Sequence, residues 1–171
     1  MPVLSEVSQT RIMFGSDEDN EVGQHIKNLG GSRVLLIYSK EDPVSLRLLD
    51  TVRRSFRINA VDYQELCENS NNARIETVQD GIKLCRSEQI NFILAIGADV
   101  ACNAARLIAL GAACSEVVYE LFKADHNITS SLPFAVISTS ICGGTALRPH
   151  VRVSHRLEDG SLTFYECSPS L

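Results

Sequence analysis

The stretch Asn91-Phe-Ile-Leu-Ala-Ile-Gly97-Ala98-Asp99-Val100-Ala-Cys-Asn103-Ala-Ala-Arg106 decides the fold. An apolar run that ends in glycine and passes at once into an amphipathic helix predicts a buried strand, a tight turn and a helix. In α/β domains that layout aims free backbone N–H groups and the positive helix end at a pyrophosphate. Here the turn holds one glycine, Gly97, where a phosphate-binding turn carries several. Asp99 stands where an anion has to approach, and two unit charges roughly 4 Å apart repel by about 4 kcal/mol at an effective dielectric of 20. The scaffold is that of a nucleotide site with altered phosphate-binding residues.

Working outward, Arg33 to Tyr38 reads as a buried strand and Val44 to Phe56 as a helix, with Pro43 suited to its first turn. A second strand is expected near Ile58 to Tyr63. It is followed by a loop over Glu68 to Asn72 and a helix from about Arg74 to Glu88. Ile90 to Ile96 is the next strand, followed by helices over Asp99 to Gly111 and around Glu116 to Phe122. Strands separated by helices of this length imply a parallel sheet with right-handed crossovers. Pro133 to Thr139 reads as one more buried strand. Val151 to Arg156 and Leu162 to Glu166 form a β-hairpin on an Asp-Gly turn.

The order and spacing of these pieces resemble the nucleotide-binding, N-terminal domain of the iron-containing (group III) alcohol dehydrogenases. The resemblance rests on Thr10 to Gly15 as an opening strand, Glu21 to Gly30 as a first helix, Arg33 to Tyr38, Leu48 to Asp50, Thr77 to Arg86, Asn91 to Gly97, and Leu132-Pro133 leading to the hairpin. It implies a Rossmann-like α/β fold over a single domain, residues 1–171, with the hairpin at about 151–166. The large helical domain that carries the family's metal ligands lies outside these residues.

The resemblance also implies where a cofactor would sit. The family turn G-G-G-S-x-x-D-x-x-K corresponds to Gly97, Ala98, Asp99, Val100, Asn103 and Arg106, so only the first glycine is kept. Gly97 is read first as a turn residue, while Asn103 and Arg106 are candidate hydrogen-bond partners of a ligand or simply a helix face. After Tyr38, where the family meets the adenosine ribose, the chain has Ser39-Lys40-Glu41-Asp42. Asp42 or Glu41 suits ribose hydroxyls and repels a 2′-phosphate, favouring NAD over NADP. The competing reading is that Ser39 and Asp42 cap the helix at Pro43. A third site, family T-x-x-A-T-G-S-E, corresponds to Thr139 through Ala146 and retains Thr139, Gly144 and the hydroxyl of Thr145. Asn72 matches the asparagine of the family's P-N-P loop without its flanking prolines.

The remaining features exclude more than they assign. Forty-four per cent hydrophobic and 22% charged residues are ordinary globular values. A net charge of −5 with scattered basic residues gives no footprint for nucleic acid. No signal peptide or membrane span is readable. The six cysteines lack C-x-x-C spacing, and Cys85 and Cys102 fall on apolar helix faces, which together suggest a reduced, cytoplasmic protein. His25, His126, His150 and His155 have no metal-ligand spacing; His25 and His155 are read as solvated. No catalytic residue and no metal site is assigned.

Two functions follow from the resemblance. One is a truncated alcohol dehydrogenase-like domain with degenerate NAD(P) loops, not catalytic alone and acting as a binding or interaction module. Its exposed apolar surface would be covered by self-association into a homo-oligomer or by a protein partner. The other is the NAD(P)-binding part of an oxidoreductase completed by a separate metal-binding chain.

Overall fold

A computed structural model describes residues 18–69, 73–114, 130–139 and 151–167. In chain order these form α1 (Glu18–Asn28), β1 (Arg33–Ser39), α2 (Pro43–Ile58), β2 (Asp62–Glu68) and α3 (Ile75–Ser87). Then come β3 (Phe92–Gly97), α4 (Asp99–Ala113), β4 (Phe134–Ser138), β5 (Val151–Arg156) and β6 (Leu162–Cys167). The expected opening strand at Thr10 to Gly15 and helix at Glu116 to Phe122 lie outside the described residues.

The first four strands make a parallel sheet in the order β2-β1-β3-β4, and β5 pairs antiparallel with β6. Alternation along β1 and β3 sends successive side chains to opposite faces. Val34, Leu36, Phe92, Leu94 and Ile96 meet α1 and α2 through Val22, Ile26, Leu49, Val52 and Phe56. Leu35, Ile37, Ile93 and Ala95 meet α3, α4 and the hairpin through Val78, Ile82, Leu107, Ile108, Val151 and Val153. Strands covered on both faces read as continuous apolar runs, which is why β1 and β3 were legible in the sequence. On the first face, α1 and α2 approach closely at Gly23. A Cβ there would lie 2.7 Å from the Ser55 carbonyl oxygen, and the Gly23 N–H donates to Ser55 Oγ at 3.0 Å.

The second strand departs from expectation. Helix α2 runs through Ile58, the chain turns at Asn59 and Ala60, the latter at φ +50°, and β2 begins only at Asp62. Ile58 is exposed, while β2 itself is polar and only partly buried. β2 is an outer strand of the sheet among the described residues and is incompletely covered, so it carries no apolar run to mark it in the sequence. Arg53 of α2 ties this polar strand down, donating to both carboxylate oxygens of Glu65 at 2.7 Å and to Asp50 at 3.1 Å. At its C-terminal end the fully buried Glu68 accepts from the backbone N–H and Nε of Arg74, each at 3.3 Å, joining β2 to the start of α3. Similarly, β4 is half-buried where a buried strand was expected, because it is the last strand of the sheet among the described residues.

The hairpin turns at Asp159-Gly160 as expected. Gly160 takes φ +84°, and Asp159 Oδ1 accepts from the Ser161 N–H at 2.9 Å and its hydroxyl at 2.6 Å. The Ala73 carbonyl accepts from both the Ser154 N–H, at 2.7 Å, and Ser154 Oγ, at 3.2 Å. His155 is not solvated as the sequence suggested. It is half-buried, with Nδ1 2.9 Å from Glu76 Oε1. Pairing between residues so far apart in the chain leaves no local signal.

Three measurements test this packing. Arg53→Ala removes a bidentate pair that is about one-third exposed and should cost about 1 kcal/mol in urea denaturation. Arg53→Lys should recover less than half, since a point charge cannot reproduce the fork. Burial pushes the Cys85 thiol up to about 12 and Cys102 to about 11, from an ordinary value of 9.0. Unfolded thiols ionise first, so their contribution is fully present below pH 9 and is lost as pH rises from 9 towards 11–12. The urea midpoint should therefore fall on going from about pH 8 to about pH 10.5, and by less in the Cys85→Ala, Cys102→Ala double variant. At about pH 8 a thiol reagent should label the half-buried Cys67 and Cys114 in the native protein before it labels Cys85 or Cys102.

Candidate functional site

The chain leaves β1, moves outward to β2, then returns to the other side of β1 for β3. Connections on either side of that reversal depart in opposite directions, α2 to one face of the sheet and α4 to the other. Such a reversal is where open α/β sheets hold ligands, in a crevice expected beyond the C-terminal ends of β1 and β3. Its walls are the first turns of α2 and α4 and the end of β4.

Asp42 holds this corner together. In extended conformation at the N-cap of α2, its Oδ1 accepts from the backbone N–H groups of Val44 at 2.9 Å and Ser45 at 3.2 Å. Its Oδ2 accepts a short hydrogen bond from the Thr139 hydroxyl, at the end of β4. The Thr139 N–H donates to the Gly97 carbonyl at 3.2 Å, and the buried Ser45 hydroxyl donates to the Ile96 carbonyl at 2.9 Å. Three candidates named from the sequence, Asp42, Gly97 and Thr139, are thus brought into one cluster. Three of the roughly four acceptor positions of the Asp42 carboxylate are taken by the described residues, so the capping role is realised. Ser45 was missed by sequence reasoning. Its signal was the cap pattern Asp42-Pro43-x-Ser45, which marks the helix start without revealing a contact to β3.

Gly97 closes β3 at φ +151°, and a Cβ there would lie 3.0 Å from Ala101 Cβ and 3.8 Å from Asp42 Oδ2. Ala98 follows as the N-cap of α4 at φ −92°, ψ −150°, an extended conformation open to any residue, and makes no capping hydrogen bond through its side chain. One glycine is enough to make this turn. Asp99 is exposed in the first turn of α4, where a carboxylate is favoured by the helix dipole, and lies near enough to Cys102 to help raise its thiol. With the exposed Glu41, the mouth of the crevice carries carboxylates on both helix starts.

Deeper along α4, Asn103 is half-buried with its Oδ1 fully enclosed and lacking a hydrogen-bond partner among the described residues. Arg106 is 6% exposed, its guanidinium carbon 5.9 Å from the centre of the Phe134 ring on β4. Gly144, Thr145 and Asn72, together with His126 and His150, lie outside the described residues. Among the described residues, no group of three or more His, Cys, Asp or Glu side chains stands together as a metal-ligand set. None of the described helices is long and apolar enough to cross a membrane. A polar groove lined by Arg33, Asp62, Tyr63, Gln64 and Ser87 to Ile90 lies at the N-terminal ends of the strands, opposite the crevice.

Comparison with known proteins agrees with this architecture. The profile of the family described as iron-containing alcohol dehydrogenase matches residues 9–170. NADH-dependent butanol dehydrogenase A of Clostridium acetobutylicum is 30% identical over 138 residues, covering 81% of this chain and 35% of that protein. Probable NADH-dependent butanol dehydrogenase 2 of Bacillus subtilis is 27% identical over 140 residues, covering 82% of this chain and 36% of its own length. In fold, the crystal structure of NADH-dependent butanol dehydrogenase A from Thermotoga maritima superposes with a TM-score of 0.81 at 20% identity, over 92% of this chain and 39% of that one. An archaeal halo-thermophilic Red Sea brine pool alcohol dehydrogenase superposes at 0.80 with 19% identity, over 99% and 45%. The chain spans about a third of the length of the curated relatives it matches. This chain belongs to the iron-containing alcohol dehydrogenase family, and the part of the family it corresponds to is the nucleotide-binding domain.

Proposed function

We propose that these 171 residues form a nucleotide-type domain that completes no reaction alone and acts as a binding or interaction module. The observation that carries this is the turn from β3 into α4. In the family, glycines there let the cofactor pyrophosphate meet bare backbone. In this chain Ala98 adds a Cβ at the N-cap and Asp99 adds a carboxylate in the first helical turn. The free N–H groups and positive end of α4 still attract an anion, typically by 0.3–1 kcal/mol at an exposed end. On this reading the Asp99 carboxylate in the same turn opposes that attraction, by about 1 kcal/mol at roughly 4 Å in bulk water and about 4 kcal/mol at an effective dielectric of 20. Phosphate therefore loses, and the pyrophosphate of NAD(P)H does not fit this turn. Among the described residues no group of three or more His, Cys, Asp or Glu side chains is assembled as a metal-ligand set.

In this reading the domain's apolar surface is covered by a second copy or by a protein partner of the kind that supplies the family's helical half. The free thiols of Cys67, Cys85, Cys102 and Cys114 suit a reducing, cytoplasmic setting. A second reading is favoured by the cluster of Asp42, Gly97 and Thr139 beyond the C-terminal ends of β1, β3 and β4, the place where open α/β sheets hold ligands. The domain would then be the NAD(P)-binding part of an alcohol dehydrogenase or aldehyde reductase, completed by a separate metal-binding chain. Glu41 and Asp42 would favour NADH over NADPH by repelling the 2′-phosphate.

Calorimetric titration of the purified chain separates the two. The first reading expects no saturable binding of NADH or NADPH at millimolar concentration. Saturation in the micromolar range would overturn it in favour of the second. In the Ala98→Gly, Asp99→Gly double variant, NADH should bind at least tenfold more tightly, about 1.4 kcal/mol, because both the Cβ and the charge are removed. Affinity unchanged from the parent chain would show that the turn is not what limits binding.

A further inference from the structure

We draw no further inference here: the strongest candidate, the outward face of the β5–β6 hairpin where Leu157, Leu162 and Phe164 are exposed beside Arg152, is an apolar surface patch, and nothing in the structure shows what covers it.

Discussion

The parallel pairing of β1 with β3 carries the rest of the structure. Val34 to Ile37 and Ile93 to Ile96 are completely buried, and burying each large aliphatic side chain among them stabilises the fold by about 1.5–3 kcal/mol relative to leaving it exposed. Both faces of the pair must be covered, so helices are needed on both sides. The pair is also anchored at its start by Asn91, whose side-chain oxygen accepts from the N–H groups of Ser32 and Arg33 at 3.0 Å each. Because the chain reverses its direction of travel at this pair, the same interaction that builds the core also opens the crevice at the other end of the strands.

At that end, backbone geometry and side-chain chemistry diverge. Gly97 supplies the one backbone conformation the turn needs, and Asp42 supplies a cap for α2 together with a tie to β4 through Thr139. These requirements are structural and are met. A pyrophosphate demands more: close approach to bare backbone and an absence of nearby negative charge. On the proposed reading Ala98 and Asp99 meet neither demand, while the strand, turn and helix are kept. On the same reading the fold is kept at a site where the ligand chemistry has changed, and membership in a family of oxidoreductases does not by itself make this domain one.

Much of this was legible in the sequence because it is local. The apolar runs of β1 and β3, the helical periodicity of α2, α3 and α4, and the Asp-Gly turn of the hairpin each announce themselves within a dozen residues. What was not legible depends on partners distant in the chain. Strand β2 begins later than the sequence suggests because a strand held by Arg53 and Glu65 needs few apolar residues. His155 gave no sign of Glu76, which is 79 residues away, and the contact between Asp42 and Thr139 spans 97. The sequence offered Asp42 as either a cap or a ribose partner, and only the geometry shows how many of its acceptor positions the cap and the tie consume.

On the proposed reading the start of α4 no longer receives a pyrophosphate. Amide hydrogen exchange, measured residue by residue at Asp99, Val100 and Ala101 with and without millimolar NADH, tests it most directly. These N–H groups open the helix and are the donors a bound pyrophosphate would engage. Exchange rates unchanged by NADH are expected. Marked slowing of these amides in its presence would contradict the account, showing that the turn still holds the cofactor despite Ala98 and Asp99.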